Sequence, residues 1–249
     1  MTPTTLTSAL QTSTAFGFWL TLPSAALAKT ILRESFFSWV LIDAEHGLIT
    51  DRYYYELCNA IASSNSSPII RVPAAEEWMI KRTLDAGAHG IVVPMCHSVT
   101  AALNTVKYIK YPPLGIRGYG PMFASHAFPG SNYDEDSQCG VSVIVQIESR
   151  AGVENVEEIA AVDGVDVLFV GPFDLAKQMG VQRGGEEHEA AIRRVVEAAR
   201  GAGKKVAIFC TDGEDARKRV QQGFDMVSVA TDVGVVKSGM LNELKRARE

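Results

Sequence analysis

Trp39-Val40-Leu41-Ile42-Asp43-Ala44-Glu45-His46-Gly47 is the stretch that decides the fold. Its first four residues form an unbroken apolar run, short and branched, as expected of a parallel strand covered on both faces. Asp43, Glu45 and His46 then emerge where that strand ends. Working outward, the pattern recurs at residues 16–20, 68–72, 90–94, 141–147, 165–170, 205–209 and 226–229. Several of these runs also end on a polar group: Arg71 closes one, Glu148 follows another, and Asp174 stands just past a third.

Amphipathic segments separate the runs. In 98–109 the apolar positions Ala101, Ala102, Val106 and Ile109 recur at helical spacing, and 187–202 behaves alike. Strand and helix alternating eight times predict an α/β fold, a single-domain (β/α)8 TIM barrel over 16–249, preceded by an N-terminal extension, 1–15. An open doubly wound sheet would want G-x-G-x-x-G after its first strand, and Leu20-Thr-Leu-Pro-Ser24 has none. Such a barrel gathers its strand ends on one face, where its chemistry sits.

Composition narrows the function. The chain has 249 residues, 47% hydrophobic and 21% charged, with a formal net charge of −5. One soluble domain fits. Without dense Lys and Arg, neither nucleic acid nor an anionic membrane is an expected partner. Ala26-Leu-Ala28 resembles a signal-cleavage site, but no basic residue precedes it and cleavage would remove the first strand. Cys58, Cys96, Cys139 and Cys210 form no C-x-x-C pair and read as reduced thiols of a cytoplasmic protein.

Glu148 and Asp174, at neighbouring strand ends, can hold a hard divalent cation while leaving positions open for substrate oxygens. The competing reading is that each merely caps the helix that follows. His46, flanked by Asp43 and Glu45, suits a general base, since a nearby carboxylate raises imidazole basicity. Arg71, inside an apolar strand, is costly unless it faces an anion, so it points into the mouth, where a permanent cation stabilises an enolate. The turn Gly171-Pro172-Phe173-Asp174 opens a helix, and its amides make a carboxylate seat. Gln146 shares the inward face of Glu148, and Trp19 is a candidate pocket wall. His89, His97, His126 and His188 have no metal-ligand spacing and read as surface or loop residues. Arg117, between glycines, is a weak candidate for an anion. Two connections are long. The one at 171–185 opens on the catalytic face; that at 110–140 starts from the other, and either climbs over the rim or assembles subunits.

Six motifs together resemble the HpcH/HpaI aldolases: Leu41-Ile-Asp-Ala-Glu-His-Gly47, Ile70-Arg-Val-Pro73, Leu84-Asp-Ala-Gly-Ala88 with Val93-Pro94, Tyr111-Pro-Pro-Leu-Gly-Ile-Arg-Gly118, Gln146-Ile-Glu148 and Val170-Gly-Pro-Phe-Asp-Leu175. The resemblance implies a class II pyruvate aldolase that cleaves or forms 4-hydroxy-2-oxo acids, giving pyruvate and an aldehyde. It implies a divalent ion, Mg²⁺ or Mn²⁺ before Co²⁺ or Zn²⁺, and a homohexamer, a trimer of dimers that exchange their last helix. It assigns Glu148 and Asp174 to the metal, and Gln146 and the 171–174 turn to pyruvate. His46 becomes the base, Arg71 the enolate-stabilising cation, and Asp85 an acid that raises the basicity of His46. Phe173 departs from the family's usual Ala or Ser and puts the acceptor in question. The same site would decarboxylate oxaloacetate, and a non-catalytic 2-oxo-acid binder is the alternative from another class.

Overall fold

Each of the eight apolar runs forms a strand. The computed structural model describes residues 4–249, apart from the side chain of Cys139. The strands are β1 (Ala15–Leu20), β2 (Trp39–Asp43), β3 (Ser67–Arg71), β4 (Gly90–Val93), β5 (Ser142–Ile147), β6 (Val167–Val170), β7 (Lys205–Ile208) and β8 (Met226–Thr231). Each pairs in parallel with the next and β8 returns to β1, so the sheet is a closed barrel without a free edge. The predicted helices at 98–109 and 187–202 are Val99–Ile109, capped by the Ser98 hydroxyl, and Glu186–Gly201.

Alternation along the strands fixes what enters the barrel. Trp39, Leu41, Ile69, Val92, Ile144, Val167, Phe169, Ala207 and Met226 fill the interior as one buried cluster. Two residues further up the same faces come Asp43, Arg71, Gln146 and Phe209, so the apolar interior becomes a polar mouth within one step of the pleat.

Leu6 and Leu10 complete that cluster from the helix Thr5–Thr12, and the Leu6 N–H donates to Ser67 Oγ at 2.9 Å. The described part of the presumed extension is thus the barrel floor. Losing a wholly buried leucine such as Leu6 costs about 2–5 kcal/mol.

The 110–140 connection packs outside the barrel against the helix Asp51–Ala62 and reaches the floor at His89. It contains a 3₁₀ turn, Ala124–Ala127, and a helix, Tyr133–Gly140. His89 Nε2 lies 2.6 Å from the Ala127 carbonyl, and His89 precedes β4, at the end of the barrel away from the strand C-termini. Arg117 is buried here, bonded to Asp85 Oδ1 at 2.8 Å and stacked over Tyr111 at 4.5 Å. It is a structural cation with a partner, so it holds no external anion.

Two histidines depart from a surface reading: His89, in a loop, and His188, in the helix Glu186–Gly201. His89 and His188 are buried, tolerable because both nitrogens of each ring find partners. Cys58, Cys96 and Cys210 are free and buried, as expected, and Cys139 falls outside the described side chains. Among the described residues no helix is long and apolar enough to cross a membrane.

Candidate active site

A cavity of about 220 Å³ opens at the C-terminal ends of the strands. Trp19, Asp43, His46, Arg71, Gln146, Glu148 and the whole turn 171–174 line it, with Thr21, Phe209 and Thr231. Of the residues chosen from sequence only Asp85 is missing. It ends the helix Glu77–Asp85, whose chain has already returned toward the floor, and its carboxylate accepts from Arg117. Within one chain it does not reach His46. Thr21 and Phe209 were missed, although each stands two residues beyond an inward-facing Trp19 or Ala207.

Register builds one half of the mouth. Asp43 is paired with Arg71 across β2 and β3. Arg71 donates from Nε to Asp43 Oδ1 at 3.0 Å and from Nη2 to Oδ2 at 2.8 Å, a bidentate fork. Its Nη1 lies 2.9 Å from Glu45 Oε2, and its guanidinium sits 4.4 Å from the Trp19 ring. Asp43 Oδ1 also accepts the backbone N–H groups of Glu45 and His46, which fixes the turn carrying the imidazole. Asp43 therefore serves Arg71 and the turn; the carboxylate beside the imidazole is Glu45, 3.8 Å from His46 Nε2. The His46 side chain is 64% exposed, open enough to exchange a proton with substrate or solvent.

The other half comes from β5 and β6. Ser149, not Glu148, caps the helix Arg150–Glu154, accepting the Gly152 N–H. The helix holding Asp174 runs Pro172–Met179 with no side-chain cap. Neither carboxylate is occupied in capping, which removes the competing reading. Glu148 Oε1 accepts the Met95 N–H at 2.8 Å, and Oε2 accepts Gln146 Nε2–H at 2.8 Å. Met95 holds its N–H there from a left-handed backbone, φ 55°, costly for a residue with a side chain. Burial, with Asp174 adding to it, pushes the Glu148 carboxyl up to about 7.

Gly171 is required. A Cβ there would lie 2.1 Å from Glu148 Oε2 and 3.2 Å from Gln146 Nε2. Pro172 has no N–H, and the Leu175 N–H bonds to the Gly171 carbonyl, so the unused donors of this first turn are the amides of Phe173 and Asp174. The turn is braced from behind by His188. Its Nδ1 accepts the Gly184 N–H at 3.2 Å, so the neutral ring carries its proton on Nε2 and donates to the Pro172 carbonyl at 2.8 Å.

An aromatic wall runs between the two halves. Trp19 meets Phe209 edge-on at 4.8 Å, Phe209 meets Phe173 at 5.8 Å, and Arg183 lies 4.2 Å from the Phe173 ring.

Acidic side chains, an imidazole, a guanidinium and free helix amides, converging at the catalytic end of a closed parallel barrel, define a (β/α)8 enzyme. Residues 15–238 match the HpcH/HpaI aldolase/citrate lyase model; the chain belongs to that family and is a carbon–carbon lyase. It is 39% identical over 223 residues to a hydroxypyruvate/pyruvate aldolase of Agrobacterium fabrum, covering 87% of this chain and 83% of the relative. A 5-keto-4-deoxy-D-glucarate aldolase of Enterobacter sp. (strain 638) is 36% identical, with 89% and 88% covered. A crystal structure of a family member from Burkholderia cenocepacia J2315 superposes with a TM-score of 0.90 at 35% identity, over 97% of this chain and 98% of that one.

Proposed function

We propose that the enzyme is a divalent-metal-dependent aldolase that interconverts 4-hydroxy-2-oxo acids with pyruvate and an aldehyde. One observation carries this reading: Glu148 and Asp174 face the same cavity as Arg71 and His46, and neither carboxylate is used to cap a helix.

The residues present fit a hard cation. Among the described residues no three His, Cys, Asp or Glu side chains gather into a cage, so a closed structural zinc site is not what this mouth offers. Glu148 and Asp174 are a two-carboxylate set suited to Mg²⁺ or Mn²⁺, and the buried Gln146 Oε1 has no protein partner. When bound, such an ion would supply Lewis acidity to a 2-oxo acid's carbonyl.

The chain's own groups do the rest. The free Phe173 and Asp174 amides seat the substrate carboxylate at the positive end of their helix. His46 takes the 4-hydroxyl proton as the C3–C4 bond breaks, the aldehyde carbonyl forms, and the bonding pair passes to C3 as an enolate. Arg71, its fork already fixed by Asp43, balances the negative charge on the enolate oxygen. A proton delivered to C3 then gives pyruvate. Trp19, Phe173 and Phe209 limit water around the reacting atoms.

We also propose a homo-oligomer in which the last helix, Asp232–Arg246, docks on a second copy. Its Val236, Met240 and Leu244 are exposed. Light scattering that gave a monomer would end that part of the reading. Catalysis is tested by pyruvate release from 4-hydroxy-2-oxo acids, beside oxaloacetate, before and after chelation and Mn²⁺ or Mg²⁺ addition. Activity unchanged by chelation removes the metal; release from oxaloacetate alone makes the enzyme a decarboxylase.

A further inference from the structure

We infer that Arg183 is the recognition site for a carboxylate at the distal end of the aldehyde, and so determines the class of acceptor the enzyme takes. This rests on the aldolase reading above and adds the acceptor's chemistry to it.

The aromatic wall carries a guanidinium at each end. At the inner end Arg71 stacks on Trp19 and is neutralised by Asp43 and Glu45. At the outer end Arg183 stacks on Phe173, and among the described residues it makes no ion pair or hydrogen bond. Glu187, near it in sequence, is engaged by Arg150 instead. Arg183 is exposed, so its N–H groups remain free around a cation whose face is held by an aromatic ring.

The two backbone segments that carry the stack are tied to each other. His188 bonds to the neighbours of both members of the stack: the Gly184 N–H, next to Arg183, and the Pro172 carbonyl, next to Phe173. A wholly buried imidazole thus clamps the 180–185 segment to the turn whose amides would hold pyruvate. Phe173 and Phe209 both line the cavity, and Arg183 lies just outside that lining over the Phe173 ring, so the wall offers an acceptor a path outward. The acceptor's far end then passes over the Phe173 ring toward Arg183. A planar fork suits a carboxylate there, and a charge-assisted hydrogen bond of that kind distinguishes a charged end from a neutral one.

The test pairs pyruvate and Mn²⁺ with 4-oxobutanoate or with its methyl ester, which keeps the chain and removes the charge. The native enzyme should prefer the acid by about tenfold or more in kcat/KM, the fold-change of one charge-assisted bond. Arg183→Gln should erase that preference while leaving turnover of the ester within about twofold, because the exposed side chain touches no reacting group. Equal use of acid and ester by the native enzyme would overturn the inference, as would an Arg183→Gln variant that lost both equally. Condensation with neither aldehyde, and no exchange of pyruvate's methyl protons in D₂O, would instead remove the aldolase reading itself.

Discussion

Asp43 and Glu148 are buried to the same degree, each only 2% exposed, at the top of strands in one barrel, yet their surroundings are opposite. Asp43 faces Arg71 in register and takes both prongs of its fork. Glu148 is met by an amide, a carboxamide and the neighbouring charge of Asp174, with no cation in contact, and its carboxyl holds its proton up to about pH 7. One half of the mouth carries its own counter-charge, and the other presents acid without one. The difference supports the proposed seat of a divalent cation, beside Glu148 rather than beside Asp43. Arg71, with its fork on Asp43 and its third nitrogen on Glu45, forms no ion pair with Glu148 or Asp174 among the described residues.

The contrast can be broken most severely at Glu148. Glu148→Gln keeps shape and hydrogen bonding but removes the charge, and should lower pyruvate release by on the order of 10³-fold or more with an unchanged circular dichroism spectrum. A rate within tenfold of native would show that the two halves do not differ as proposed. In the self-neutralised half the large effect should fall on stability. Asp43→Ala leaves a buried Arg71 short of its main partner, which costs about 3–5 kcal/mol, read as a lower urea midpoint.

A control at the floor touches neither half. Burial lowers His89 from 6.5 to about 4, against the smaller opposing effect of its bond to the Ala127 carbonyl. The folded protein therefore keeps this ring neutral where the unfolded chain binds a proton. Stability from this group is complete above pH 6.5 and is lost as pH falls toward 4, by about 3 kcal/mol in all. Urea titrations across that window should show the loss, and His89→Gln should flatten it.

The smallest of these effects sharpens the comparison. Gly171→Ala puts a methyl where Glu148 Oε2 now lies, and displacement by roughly 1 Å costs about 10²-fold in turnover. An unaffected rate would mean that the Glu148 carboxylate can move without consequence.

Much of this was legible in the chain. Trp39–Asp43 reads as a strand because apolar continuity is a local property, and the polar residues at such ends are the ones the barrel gathers. Of the two carboxylates that flank His46 in sequence, Glu45 lies beside the imidazole, whereas Asp43 pairs across the register with Arg71, 28 residues on, because proximity in sequence is not proximity in a sheet. Asp85 fits a motif, but a helix's last turn lies at the far end from the strand it follows. The clamp of His188 and the stack of Arg183 on Phe173 have no periodic signature at all. They arise where two loops meet, and only coordinates bring residues 172–173 and 183–184 together.

Gly171 has a consequence for how such an enzyme can diversify. The carboxylate oxygen of Glu148 occupies the volume of the missing side chain, so the half proposed to seat pyruvate tolerates almost no variation at that position. Phe173, two residues later and 41% exposed, is under no such constraint. New acceptor repertoires can therefore be engineered at the rim while the bond-breaking apparatus beneath it stays untouched.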